Sequence, residues 1–310
     1  MLGQDLAYVA LVARDAEASA AVFETHLGLS RRMLAAGAGP DVPVFAVGQS
    51  AVAIFPEGHP YVCADAKPGV HHIALATPDL AAGLKLAATA GVVAGAANQQ
   101  PGLGGRKRIE LDRNSLSGVR TWLIEPLGTT PSASQAIERI DHIGIASIDN
   151  PAAIAVWSGR LGCVLESQQT DMEVLIAVES FTSDNHGVVY HTRAPVPVGG
   201  LRVAFITVGD TELEFLQNFD PRHPAVIDHA SSGTTRQDQG AITKFVATRG
   251  AGLHHLAFKT GDINGVLRAL DLAGVPVIDK KGRPGSRAGL IGFINPKGMG
   301  GILVHFDERP

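Results

Sequence analysis

Four short segments of the 310-residue chain carry side chains that bind divalent ions and move protons. Residues 140–146 are apolar apart from Asp141 and His142, residues 211–216 hold Glu212 and Glu214, residues 253–258 contain the pair His254-His255, and residues 301–306 include His305. Imidazole and carboxylate are ligands of borderline divalent ions, and both transfer protons when their surroundings tune them. Strand alternation decides which of them point together. His142 shares a face with Gly144 and Ala146, small neighbours that leave room beside an imidazole. Glu212 and Glu214 share a face, and a carboxylate inside an apolar strand is costly unless paired or ligated, so Glu214 needs a partner. Adjacent His254 and His255 face opposite ways, so at most one serves a common centre.

The elements that must position these residues emerge when the chain is set against itself. At an offset of 134, residues 8–28 align without a gap on 142–162, with Asp15 over Asp149 and Leu27-Gly28 over Leu161-Gly162. At an offset of 183, residues 70–92 align on 253–275, with His71-His72 over His254-His255 and Asp79 over Asp262. The chain is a duplication, and the second copy is longer by 49 residues within 163–252. The small polar run 128–134 reads as a linker, so the expected modules are 1–128 and 139–310. Each copy halves again. An apolar strand leads through an Asp helix start into an apolar-periodic helix closed by Gly, and β-rich segments follow at 202–208, 212–216, 289–295 and 301–306.

The two copies differ where the chemistry lies. His142 has Tyr8 as its counterpart, His305 has Trp122, and matching 211–216 to 50–55 puts Glu214 over Ala53; only His255 keeps a histidine, His72. The first copy therefore reads as scaffold and the second as the functional copy. His71 and His254, present in both, read as structural. Placing Glu214 over Ala53 divides the extra length into 27 residues before it and 22 after it, including 181–191 and 220–224. Loops on a rigid scaffold commonly supply specificity, so these are expected to border the pocket.

Composition sets the outer bounds. Hydrophobic residues make up 45% and charged residues 18%, enough to fill a core. With 26 Lys+Arg against 30 Asp+Glu and no basic block, nothing provides the electrostatic footprint of a nucleic-acid binder. Apolar stretches are too short to span a bilayer and the first residues lack a signal-peptide pattern, so a cytoplasmic protein is expected. Cys63 and Cys163 lack zinc or disulfide spacing and read as passive thiols. Gly102 to Arg106 resembles a phosphate loop only superficially, since no Lys-Ser/Thr pair frames it.

The runs 140–146, 250–258 and 295–304 resemble the vicinal oxygen chelate (glyoxalase/bleomycin resistance/dioxygenase) superfamily, and within it the methylmalonyl-CoA epimerases most. The resemblance covers 140–306 well and 6–127 weakly. It implies an α+β fold of four βαβββ units, forming two tandem vicinal-oxygen-chelate modules with cupped mixed sheets around one divalent metal, Co, Zn, Ni or Mn. Carried over residue by residue, the ligands fall on His142, Glu214, His255 and the position of His305, where the epimerases have a carboxylate that also transfers protons. His305 and Glu212 are the catalytic candidates. Glu173, His186 and His191 lie in the right region for a second base without a motif to choose among them.

The expected activity is that of a metal-dependent isomerase or lyase, acting through a metal-stabilised enolate on an acyl-CoA or an oxo or hydroxy acid. Four units in one chain is also the layout of extradiol and 4-hydroxyphenylpyruvate dioxygenases, which hold Fe(II) with two His and one Glu. Binding proteins of the bleomycin-resistance kind use the same fold without catalysis. His191 and Tyr190 in the first insertion, Arg283 and Ser286 in the basic segment 280–287, and Lys297 are the candidate substrate contacts; the basic segment reads equally as a solvated loop. The partner is a small molecule. Paired modules of this kind also form homodimers, but four units can complete a site within one chain.

Overall fold

The computed structural model describes residues 2, 5–95, 99–175, 178–219, 239–285, 287 and 289–309. Two eight-stranded, curled sheets account for most of them. The first is built from β1 (Leu6–Ala13), β2 (Arg31–Ala36), β3 (Gly39–Val47), β4 (Ser50–Pro56), β5 (Gly69–Ala76), β6 (Gln100–Pro101), β7 (Lys107–Glu110) and β8 (Thr121–Ile124). The second is built from β9 (Arg139–Ala146), β10 (Leu165–Leu175), β13 (Val196–Val208), β14 (Thr211–Phe219), β15 (Gly252–Lys259), β16 (Arg283–Pro284), β17 (Leu290–Ile294) and β18 (Val304–Glu308). Between β10 and β13 a separate hairpin of β11 (Val178–Ser183) and β12 (Gly187–Thr192) is inserted.

The sheets have the same strand order, β2-β3-β4-β1-β5-β8-β7-β6 in one and β10-β13-β14-β9-β15-β18-β17-β16 in the other. Registers match as well. Ala53 pairs with Ala10 across β4 and β1, and Glu214 pairs with Gly144 across β14 and β9, so Ala53 and Glu214 occupy one structural position. Trp122 pairs with Ala74 and His305 with Ala257, again one position in two copies.

Each unit starts its helix in the same way. The side chains of Asp15, Asp79, Asp149 and Asp262 accept from backbone N–H groups in the first turns of α1 (Ala16–Ala21), α2 (Leu80–Thr89), α3 (Asn150–Ile154) and α5 (Ile263–Leu272), at 2.8–2.9 Å. Such caps satisfy donors that a helix start leaves without partners. A further helix, α4 (Gln239–Arg249), belongs to the second insertion.

Period-two alternation gives each sheet two destinations. Val9, Leu11, Ile143 and Ile145 join helix residues such as Phe23, Trp157 and Leu267 in one continuous core shared by both modules. Phe23 meets Phe258 of β15 edge-on at 5.6 Å, and the Trp157 indole donates to Leu116 O at 3.3 Å, so the modules are welded through their helix-bearing sides. The opposite, concave faces form two separate clusters, one around Tyr8, Phe55 and Trp122 and one around Leu201, Phe205 and Leu216.

Two sequence expectations shift. The last strand begins at Val304, because Pro296–Met299 forms a 3-10 turn that Gly300 ends in a left-handed conformation at φ 60°, and strand pairing resumes only beyond it. The His-His pairs do not alternate simply. The register slips between Leu253 and His255, as it does between Val70 and His72, so His254 and His71 are the extra residues of β-bulges.

Candidate metal centre

On the concave side of the second sheet His142, Glu214, His255 and His305 come from β9, β14, β15 and β18, the four central strands. All four are at least 95% buried. The ligand-capable atoms of the three histidines lie within 4.8 Å of one another, and Glu214 Oε2 is 3.4 Å from His142 Nε2 and 3.3 Å from His255 Nε2. They line a cavity of about 220 Å³ whose wall is otherwise mostly aliphatic and aromatic, including Leu201, Val203, Ile242, Ile291 and Phe293, with Asp171, His254 and Arg283 as its further polar side chains.

Neighbours fix the rings by their other nitrogens. Asp141 accepts from His142 Nδ1 at 2.8 Å, which leaves Nε2 aimed inward. His254 Nδ1 is 3.0 Å from His255 Nδ1, so the ligating tautomer of His255 donates to it, a contact the bulge makes possible. Gly144 is required beside this ring, since a Cβ there would lie 2.0 Å from His255 Cε1. Behind the histidines, Arg287 at 3.3 Å and Arg309 both donate to the fully buried Asp141. Burial resists charge on Asp141, but His142 and Arg309 hold its carboxyl well below the usual range.

The donor set suits a divalent ion. Both ring nitrogens of His305 are buried without a hydrogen-bond partner, and Nε2 of His142 and of His255 have Glu214 Oε2 alone, at 3.4 and 3.3 Å, a costly arrangement unless something ligates them. Burial, together with the nearby histidines, depresses the pKa of His305, and burial does the same at His255 against the pull of Glu214. Both rings are thus neutral and have lone pairs to give. Burial disfavours charge on Glu214 as well, yet His142, His255 and Arg287 outweigh it and keep the carboxyl ionised. At His142 the same balance runs the other way: Glu214 and Asp141 overcome burial and raise its pKa, so a proton competes with an ion there.

Other predicted residues lie elsewhere. Glu212 is not on the cavity wall; Arg287 donates to its carboxylate and occupies it. Arg283 does line the cavity, anchored to Asp279 at 3.1 Å. Tyr190 and His191 sit on exposed β12, away from the wall, as does His186 in the hairpin turn, and Lys297 is exposed on the 3-10 turn. Ser286 and residues 220–224 lie outside the described residues, as does the side chain of Glu173. The insertions contribute in another way, since α4 brings Ala241 and Ile242 to the wall and β10 brings Asp171. Burial, with Glu214 adding to it, raises the Asp171 carboxyl pKa, and Gln169 donates to it at 3.2 Å. Burial pushes the Cys163 thiol up to about 11, consistent with an inert side chain.

The sister site shows what the scaffold looks like without such donors. Tyr8 OH bonds His72 Nε2 at 3.0 Å and Tyr61 OH at 2.9 Å, while Trp122 stacks on His72 with ring centroids 3.4 Å apart. Aromatic rings fill the space and satisfy the one remaining imidazole.

Residues 141–293 match the glyoxalase/bleomycin resistance protein/dioxygenase superfamily. The mitochondrial methylmalonyl-CoA epimerase of Bos taurus is 24% identical over 160 residues, covering 51% of this chain and 80% of that protein. The Homo sapiens enzyme of the same name is 22% identical over 184 residues, covering 59% and 81%. A 4-hydroxymandelate synthase variant from Streptomyces coelicolor shares the fold over 100% of this chain and 93% of its own, with a TM-score of 0.61 at 15% identity. It is thus the C-terminal half of this chain that is similar to the glyoxalase/bleomycin resistance protein/dioxygenase superfamily.

Proposed function

We propose that module 139–310 holds one divalent metal through His142, Glu214, His255 and His305 and catalyses isomerase or lyase chemistry on a substrate with an acidic α-proton, while module 1–128 serves as scaffold. The observation that carries this reading is the group of buried imidazole nitrogens that converge on one carboxylate, Glu214, and find no other polar partner on the cavity wall. It agrees with the similarity to methylmalonyl-CoA epimerases. A bound divalent ion supplies electrophilic stabilisation of the negative charge that grows on a substrate oxygen as the α-proton leaves.

The chain's own residues do the rest. Asp141 and His254 orient the two supporting imidazoles. Leu201, Val203, Ile291 and Phe293 exclude water and strengthen every polar interaction inside. Arg283 offers a cation to a substrate carboxylate or phosphate at the same wall. Asp171, with its raised pKa, accepts or returns the α-proton, and His305 is the second proton carrier when it is not ligating. Glu212, bound by Arg287, is left to support the fold.

The test is deuterium wash-in at the α-carbon of a panel of acyl-CoA and 2-oxo-acid substrates, using protein loaded with Co, Zn, Ni or Mn. Exchange with at least one substrate is expected, and Asp171→Asn should slow it by about 100-fold without changing metal content. Metal-loaded protein that exchanges none of the panel would remove the enolisation reading. Oxygen consumption by Fe(II)-loaded protein would move the chain to the dioxygenase branch.

A further inference from the structure

A second cavity, of about 290 Å³, opens where the two modules meet. Its wall combines the start of β5, the start of β15, the end of α4 and the 3-10 turn Arg113–Leu116 with the residues after it. α4 separates it from the metal-ligand cavity: Ala241 and Ile242 face that one, and Thr248 and Arg249 face this one.

The lining is cationic. Lys67, Arg113, Arg120 and Arg249 converge on it, and among the described residues Asp65 is the one carboxylate on its wall. None of the four cations forms an ion pair among the described residues. Two of the arginines are held by equivalent backbone carbonyls of the two modules. Arg113 of the first module donates to Ala251 O at 3.1 Å, and Arg249 of the second donates to Pro68 O at 2.9 Å. Pro68 and Ala251 are equivalent positions at the offset of 183, so each module's carbonyl fixes the other module's guanidinium. One backbone acceptor leaves most of the five N–H donors of each arginine unused.

Arg120 donates to His71 Nε2 and stands 3.5 Å from Cys63 Sγ. Burial and Arg120 keep His71 neutral, with its pKa pushed down to about 3, so it accepts from Arg120 and adds no charge of its own. The basic residues also belong to this site and not to the repeat. At the offset of 183, Lys67, Arg113 and Arg120 face Gly250, Pro296 and Leu303, and Leu303 lines the metal-ligand cavity.

Like charges brought together around a concave, polar space are stabilised by an anion with several acceptor oxygens. We propose that this cavity binds the phosphate or diphosphate group of a small-molecule ligand through Lys67, Arg113, Arg120 and Arg249. The chemistry is shared by two sources, a phosphorylated tail of the substrate and a separate phosphate-bearing ligand. The proposal does not depend on the metal reading.

Isothermal titration of the full-length, metal-loaded protein with inorganic pyrophosphate tests it, repeated after dialysis against EDTA because pyrophosphate also chelates metals. One-to-one binding that survives EDTA is expected. Lys67 and Arg249 are exposed side chains, so Lys67→Glu and Arg249→Gln keep the fold, checked by an unchanged melting temperature, and each should weaken binding by about tenfold or more. Binding lost with the metal, binding equal in both variants and wild type, or no binding at millimolar pyrophosphate would each overturn the proposal. Repeating the titration with saturating propionyl-CoA separates the sources. Displacement identifies the site with a substrate tail and undiminished binding with a separate ligand; either result upholds the cavity as a phosphate site.

Discussion

Gly144→Ala tests the construction of the proposed metal centre with one methyl group. A Cβ at this position would stand 2.0 Å from His255 Cε1, 2.2 Å from Nδ1 and 2.4 Å from Nε2. Ordinary carbon contacts need about 3.5 Å, so the ring must retreat by roughly 1.5 Å. Metal–ligand bonds tolerate about 0.2 Å, so a ring moved that far no longer reaches an ion held by the other three side chains. Metal affinity, measured by competition against a chelator, should fall by about 10- to 100-fold or more. Overpacking a buried site also costs about 1–3 kcal/mol, read as a drop of several degrees in the melting temperature of the metal-free protein. The first module supplies the control. Its residue at the same place is Ala10, paired with His72, and there the imidazole leans on Trp122 and bonds to Tyr8. Ala10→Gly should leave metal content unchanged. Gly144→Ala protein with wild-type metal stoichiometry and affinity would refute the placement of His255 against Gly144 as a ligand.

Two further outcomes follow from the buried charges. Asp141→Ala removes a partner shared by His142 Nδ1, Arg287 and Arg309; Arg287 keeps Glu212 and Arg309 keeps Asp307, so the loss should lie near the lower end for a broken buried pair, about 3 kcal/mol in urea unfolding, and a wild-type midpoint would rule out a supporting role. His71 has a folded pKa of about 3 against an ordinary value of 6.5, so only the unfolded chain takes up its proton between those limits. Stability should therefore fall as pH drops through that window, by up to about 2 kcal/mol at pH 5 from this residue, and His71→Gln should flatten the slope relative to wild type. Parallel pH profiles for the two proteins would show that His71 is not held neutral by the fold.

The self-comparison made much of this architecture legible because duplication transfers register. Matching Glu214 to Ala53 relied on a six-residue pattern alone, and the two pair with Gly144 and Ala10 at the same place in their sheets. Parity likewise brought His142, Glu214 and His305 to one concave face. It misjudged His254, since a bulge breaks alternation and no local residue pattern announced one in either copy. Asp171 had no signal because it lies in the stretch of β10 that extends beyond the length of its counterpart β2. Glu212 looked equivalent to Glu214 in the strand. What separates them is Arg287, 75 residues away in sequence.

The contrast between the concave faces bears on why the second one is built as it is. In the first, Tyr8, Tyr61 and Trp122 surround His72 and satisfy it by hydrogen bonding and stacking, so nothing further is needed for stability. In the second, both nitrogens of His305 are buried without a partner, and Nε2 of His142 and of His255 share the single Glu214 carboxylate. Each unsatisfied buried group costs about 1–3 kcal/mol, a heavy load for a fold whose net stability is of order 5–15 kcal/mol. The same scaffold had an aromatic solution available and kept it in one copy only. Asp141, Arg287 and Arg309 meanwhile form a charged layer behind His142 whose geometry holds Nε2 toward the cavity. On the proposed metal reading, the ion held by these side chains offsets that cost, and removing it should lower the melting temperature of the second module's core.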